Sequence, residues 1–322
     1  MQKFYTLILT LSSLFFISCT KTPQVATNKT LQQDVQVYAT LNKDGKITPQ
    51  TIEDTFEASG LSVAGNNDMN KVFIKRFGKI HHKVYNLAMF ANNELTYKLV
   101  KKYPNFGALT PLTMSIYSDA QGNINIATLS LRGMSRATAI PENDKDLIAY
   151  AELIQSTLKK ALPNGQFKVL PYTPVSKDKT LATDFVTTVE LDDDKTVEEY
   201  IDDFEAEFEG ELEPLGFLLP NYTNLQEEIF DDKGYDKYDF YHTYSICKFD
   251  VIFPVSKLHP EAGAWAPCSF YLYKKKGENK MHMGFLSVEN WITSLNIQDE
   301  ASTKPLREAQ GMIENIIHDM TE

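Results

Sequence analysis

The sequence predicts an α+β fold that occurs twice: two repeated domains, each an antiparallel sheet with helices packed on one face, related by a pseudo-twofold axis. Three features predict it: an internal repeat, strands with alternating apolar residues, and an amphipathic helix that closes each copy. The chain of 322 residues exceeds one typical domain, which also favours two.

The repeat appears when the chain is compared with itself at a shift of 156 residues. This shift aligns PNFGALTPLTMSIY with PEAGAWAPCSFYLY. It places Gly107 and Pro111 on Gly263 and Pro267, and these residues are expected to mark the turn that enters a central hairpin, where glycine tolerates unusual dihedrals and proline fixes its own. The predicted divisions are a signal peptide (1–18), a flexible tether (19–33), a first repeat (34–165), a linker (166–183) and a second repeat (184–322).

Each copy is expected to open with a strand, DVQVYAT or DFVTTVEL, followed by an acidic helix and a shorter helix. Alternating strands over KIHHKVYNLAMF and YDFYHTYSICKFDVIF come next, then a short helix or turn and a hairpin. The closing helix of the first copy presents an apolar stripe of Ile148, Ala151, Ile154 and Leu158.

The first residues have the layout of a secretory signal: a basic start with Lys3, then the uncharged apolar run FYTLILTLSSLFFI. Its ending, Phe16-Ile17-Ser18-Cys19, resembles a bacterial lipobox. Cys19 is therefore the expected lipidation site, with palmitate as one acyl group, and an uncleaved anchor or an ordinary signal is the alternative. The protein is expected in the cell envelope, facing the periplasm or the exterior. The outer membrane is favoured, because the residue after Cys19 is Thr20 and not the aspartate that resembles a signal for retention in the inner membrane.

The order of elements, a cysteine at a strand end, and Gly-x-x-x-Pro-Cys before a hairpin together resemble the domain of unknown function 302 family. Cys247 and Cys268 hold the family's two cysteine positions in the second copy, and Ala88 and Leu112 hold them in the first. The resemblance covers most of the chain. It implies a fold and no established chemistry.

Cys247 and Cys268 form a candidate disulfide or thiol pair in a compartment that permits disulfides. Strand alternation places both on one apolar face, where they would pack as small hydrophobic residues, form a disulfide, or act as a metal-binding or redox-active pair. A copper, zinc or haem site would recruit His242 and His282, but alternation separates these histidines from the sulfur residues. The sequence therefore predicts no metal site and no cofactor.

Thirteen Asp or Glu residues stand against one lysine between Glu190 and Glu213, and the net charge of the chain is −11. This surface excludes nucleic acid as a partner and indicates a solvated helix face.

The sequence has no recognisable nucleophile elbow, phosphate-binding loop or pair of catalytic carboxylates. This favours a protein that is not an enzyme. Two function classes stay open. One is a membrane-tethered binding module that holds a small ligand or an envelope protein at the repeat junction. The other is a thiol- or metal-handling protein centred on Cys247 and Cys268.

Overall fold

The structure is a computed structural model that describes residues 33–171, 182–191 and 194–321. The signal peptide, Cys19 and the tether up to residue 32 lie outside the described residues. In the described ranges, no helix is both long and apolar enough to span a bilayer.

The first repeat contains the predicted strands and helices in order, together with a strand (Ser62–Asp68) and a helix (Leu131–Thr138) that were not predicted. Its elements are β1 (Val35–Leu41), α1 (Pro49–Ala58), β2 (Ser62–Asp68), α2 (Met69–Phe77), β3 (Tyr85–Ala91), α3 (Asn93–Lys102), a short 3-10 helix (Pro104–Leu109), β4 (Leu112–Ser118), β5 (Asn123–Leu129), α4 (Leu131–Thr138), α5 (Lys145–Ala161) and β6 (Gln166–Lys168). Although residues 166–168 belong to the predicted linker, they pair with β1 and extend the first sheet.

The second repeat follows the same order. Its elements are β7 (Ala182–Thr188), α6 (Val197–Leu212), β8 (Leu218–Asn224), two short helical turns (Gln226–Phe230 and Asp231–Lys233), β9 (Tyr238–Cys247), α7 (Phe249–Leu258), a short 3-10 helix (Pro260–Trp265), β10 (Cys268–Lys275), β11 (Lys280–Leu286), α8 (Glu289–Leu295) and α9 (Glu300–Thr321). A single 3-10 turn, Glu213–Leu215, follows α6.

The two sheets share one topology. Their strand orders are β2-β3-β4-β5-β1-β6 and β7-β11-β10-β9-β8, so the second reads as the first without β6, and all pairs are antiparallel. Gly60 and Gly216 both have left-handed φ angles, as do Gly78 and Gly234. The chain therefore contains one fold twice, as the repeat predicted, while the pseudo-twofold axis stays a prediction.

Two predicted strands have different limits in the structure. The first starts only at Tyr85, after a loop that contains His81 and His82. The second ends at Cys247, and FDVIFPVSKL forms α7. An unbroken apolar run fits either period, and here Val251, Ile252 and Val255 are the buried helix face.

Each sheet is covered on one face by helices of its own repeat. Phe56 of α1 packs on Phe90 of β3 with ring centroids 4.4 Å apart, and Phe208 of α6 stacks on Phe270 of β10 at 5.0 Å. The closing helix α5 buries Ala151, Ile154 and Leu158 as predicted, but its stripe begins at Leu147, since Ile148 is only half-buried.

The opposite face of each sheet is covered by the other repeat. We call the two short 3-10 helices the first bridge helix (Pro104–Leu109) and the second bridge helix (Pro260–Trp265). Thr113 and Ser115 of β4 donate hydrogen bonds to the carbonyls of Ala264 and Pro260, each at 2.8 Å. In the reverse direction, Tyr241 of β9 donates to the carbonyl of Pro104.

Gly107 and Gly263 lie inside the bridge helices and do not have left-handed dihedrals, so their predicted conformational role is wrong. Their role is close approach: a Cβ on Gly107 would lie 2.9 Å from Tyr271 Cβ of the other repeat. Pro111 and Pro267 directly precede β4 and β10, as predicted, and both follow cis peptide bonds.

The loop before β3 also joins the repeats. His82 Nε2 lies 2.7 Å from the Ser256 carbonyl of α7, and its Nδ1 lies 3.3 Å from the Ser118 carbonyl. The His81 ring packs on Phe253 with centroids 4.4 Å apart. The two histidines therefore serve the interface between the repeats.

We predict that Gly263→Ala destabilises the protein by about 2 kcal/mol, because overpacking an interior costs 1–3 kcal/mol. The new Cβ would lie 2.5 Å from Ser115 Cβ and 2.7 Å from Leu87 Cδ2. Gly311→Ala in α9 is the matched control: its Cβ meets nothing within 4 Å, and alanine favours a helix by about 1 kcal/mol. Urea unfolding measures both, and a Gly263→Ala protein as stable as the parent would contradict the packing argument.

Candidate ligand-binding cleft at the repeat junction

A cleft of about 430 Å³ opens where β2 and α2 of the first repeat meet the end of β9 and the start of α7. We call it the junction cleft. Both repeats supply its walls. The lining residues are Asn66, Asn67, Asp68, Met69, Lys71, Val72 and Leu87 from the first repeat, and Leu218, Pro220, Cys247, Phe249 and Pro267 from the second.

The first repeat provides the polar wall. Asp68 is the N-cap of α2, and its carboxylate accepts a hydrogen bond from the Asn70 amide at 3.1 Å. Its other oxygen lies 3.8 Å from Lys71 Nζ. The Lys71 side chain is 83% exposed, so its ammonium group is accessible to a ligand at the mouth of the cleft.

The Asn66 side chain is held rigidly beside this wall. Its amide nitrogen donates to Pro49 O at 3.0 Å and to Glu53 Oε2 at 2.8 Å, and its oxygen accepts from Asn86 at 2.9 Å. Because all these bonds are internal, Asn66 positions β2 and is not available to bind a ligand.

The second repeat provides the apolar wall. Leu218 is 43% exposed at the edge of its sheet, Phe249 is half-buried, and Cys247 is buried behind them. An exposed leucine beside proline and phenylalanine favours an apolar ligand surface. The cleft can therefore hold a small molecule with an apolar side and a polar side.

The cysteines of the described residues are free thiols. The register pairs Cys268 with Ile246 and Leu218 with Cys247. The two side chains therefore leave opposite faces of the sheet, so the prediction of one shared face is wrong. Cys268 pairs with Ile246, and paired residues point to the same face, whereas Cys247, the next residue along the strand, points to the opposite face. Cys247 faces the first repeat, and Cys268 faces the helices.

Burial raises the pKa of both thiols. The pKa of Cys247 rises to about 12 through loss of hydration and, to a smaller extent, through the neighbouring Cys268. Loss of hydration likewise raises the pKa of Cys268 to about 12. A thiol is nucleophilic and metal-binding as its thiolate, so this environment disfavours thiol chemistry at neutral pH.

A comparison with protein families bears directly on these two repeats. The model of the family described as "Domain of unknown function DUF302" matches residues 37–164 and 193–320. The chain belongs to the DUF302 family. A crystal structure of an uncharacterized conserved DUF302 protein from Bacillus stearothermophilus is similar, with 14% identity and a TM-score of 0.32, over 39% of this chain and 94% of that one. No curated protein matches the chain.

The register of the DUF302 repeats corrects one alignment. Leu112 pairs with Phe90 as Cys268 pairs with Ile246, so Leu112 and Cys268 are equivalent. By the same register Ala91, and not Ala88, is equivalent to Cys247. The expected position was wrong because the shift of 156 residues that aligns the two copies places Ala91, and not Ala88, on Cys247.

The alternative metal ligands do not come together. His282 pairs with Tyr273, and His242 pairs with Leu272, the residue before Tyr273, so the two imidazoles lie on opposite faces. His242 Nδ1 instead lies 2.6 Å from Glu205 Oε1, and the His282 ring stacks on Tyr273. Within the described ranges, no group of three or more His, Cys, Asp or Glu residues could hold a metal ion.

The polar wall of the cleft was not predicted from the sequence. Asn67 and Lys71 belong to an edge strand and an exposed helix face, where polar residues are ordinary. Only their position opposite Leu218 makes them candidates.

We predict that neither Cys247 nor Cys268 reacts with iodoacetamide in the native protein at pH 8, because a pKa near 12 leaves about one thiol in ten thousand ionised. A Cys19→Ser variant leaves these two as the chain's cysteines. Mass spectrometry should show no labelling until denaturant is added, and two labels afterwards. Rapid labelling of the native protein at pH 8 would instead indicate a reactive pair.

Proposed function

We propose that this chain is a lipid-anchored protein of the bacterial cell envelope whose two DUF302 repeats bind a small amphipathic molecule in the junction cleft, without catalysing a reaction. The observation that carries the proposal is that both repeats supply the walls of the cleft, one polar and one apolar. Ligand sites in proteins commonly form at such junctions. The high thiol pKa values favour binding over thiol chemistry.

Anilinonaphthalene sulfonate is a suitable probe, because it combines apolar rings with one anionic group. We expect one site per chain, seen as enhanced probe fluorescence. Leu218→Asp places a charge on the apolar wall, and Lys71→Glu reverses the charge on the polar wall. Each should weaken binding by about tenfold, the equivalent of roughly one lost hydrophobic or charged contact.

Matched controls are available on the same surface. Lys75 is exposed on α2 but does not line the cleft, and Leu258 is 56% exposed at the end of α7. Lys75→Glu and Leu258→Asp should bind the probe as the parent does. If the control variants lose as much affinity as the cleft variants, or if Leu218→Asp loses none, the cleft is not the site.

The lipid anchor is part of the proposal and has its own test. We predict that an alkyne analogue of palmitate labels the parent protein in bacteria but not the Cys19→Ser variant, because the acyl chain attaches to that cysteine. Cys247→Ser, which removes a buried thiol, should keep the label. Labelling of the Cys19→Ser variant would end the assignment.

A further inference from the structure

The second repeat contains an apolar cavity between its sheet and its helices, which we call the inner chamber. Its volume is about 40 Å³. The residues used below are Ile246, Cys247, Pro267, Cys268 and Trp291, all of which line it. A space of this size accepts the end of a slender molecule.

The first repeat fills the equivalent space. Phe90 and Leu112 pair across β3 and β4 as Ile246 and Cys268 pair across β9 and β10. Phe90 and Leu112 are fully buried, and the Phe90 ring packs on Phe56. The second repeat thus has a smaller side chain at both positions. Missing core volume costs stability unless something occupies it.

The inner chamber also contains a hydrogen-bond donor without a strong acceptor. Trp291 is 2% exposed, and its indole nitrogen has no hydrogen-bond partner among the described residues. Its contact with the Cys268 sulfur lowers the pKa of that thiol, against the larger effect of burial, but sulfur is a weak acceptor. The chain's other tryptophan, Trp265, donates to Ser294 Oγ at 2.9 Å. A buried donor without a strong acceptor costs free energy, so a molecule that brings an oxygen into the chamber would gain this hydrogen bond.

The inner chamber adjoins the junction cleft. Cys247 and Pro267 line both spaces, so these two residues form the partition between them. A ligand that lies in the cleft with one end passing this partition would reach the Trp291 indole. The wide cleft and the narrow chamber would then form one site with two compartments.

We propose that the inner chamber receives the narrow end of the ligand and that this end carries a single neutral oxygen, which accepts a hydrogen bond from Trp291 Nε1. The ligand class is an apolar chain or ring that ends in an alcohol or carbonyl oxygen. This inference rests on the proposed binding function of the cleft and specifies which molecules the cleft takes.

Hexanol is the probe, and the indole N–H resonance of Trp291 is the readout, assigned with Trp291→Phe. Titration should shift this resonance downfield and leave that of Trp265 in place. Cys268→Leu and Ile246→Phe install the side-chain types of the first repeat and fill the chamber. Each should abolish the hexanol shift, raise or preserve thermal stability, and leave anilinonaphthalene sulfonate binding within twofold.

Trp291→Phe keeps an aromatic ring and removes the donor. Hexanol affinity, measured by calorimetry, should fall about tenfold, while hexane binding should change little. Unchanged hexanol affinity in Cys268→Leu and Ile246→Phe would overturn the chamber assignment while the cleft stands. If the cleft variants lose probe binding but keep hexanol binding, the result supports the chamber as a binding site. If hexanol does not shift the Trp291 resonance, the proposal for the chamber is wrong.

Discussion

Each sheet in this protein must be covered on both faces, because both faces are removed from water. Helices of the same repeat cover one face, and the bridge helix of the other repeat covers the second. Side chains on that second face are polar but buried: Thr113, Ser115, Asn125, Thr243, Ser245 and Ser269. Burying a polar group costs free energy unless it is hydrogen-bonded, and backbone carbonyls of the second bridge helix accept hydrogen bonds from Thr113 and Ser115. The hydroxyls of Thr243 and Ser245 have no such partner among the described residues. The repeats are therefore parts of one folded unit.

The junction cleft follows from this arrangement. The bridge helices fix the distance between the sheets, because Gly107 and Gly263 let them lie directly on the opposite strands. At the edge, where β2 faces β8 and the bridge helices do not reach, the sheets leave the space that Leu218 and Lys71 line. The contacts that stabilise the pair of repeats and the cleft proposed to bind a ligand thus have one structural origin.

Much of the fold could be predicted from the sequence, because particular residues occur at equivalent positions in both copies and align them. Gly107 with Gly263 and Pro111 with Pro267 aligned the copies correctly. The length of β9 could not be predicted, because FDVIF fits a strand and a helix equally well. The face to which the Cys247 side chain points depends on the pairing of β9 with β10. The cleft depends on residues far apart in the chain, such as Leu87 and Leu218, coming together. Alternation within one segment contains neither kind of information.

Where the junction cleft meets the inner chamber, the two repeats have different side chains at equivalent positions. Ala91 and Leu112 of the first repeat correspond to Cys247 and Cys268 of the second, and Phe90 corresponds to Ile246. The cysteines matter here for their size and polarity. A cysteine side chain is smaller than a leucine side chain, and a protonated thiol behaves as a small hydrophobic group with a weak S–H donor. The high pKa of each thiol preserves that neutral state. In this arrangement the first repeat has a filled core and supplies a polar wall, whereas the second has less core volume next to that wall. The duplication therefore yields one asymmetric candidate site.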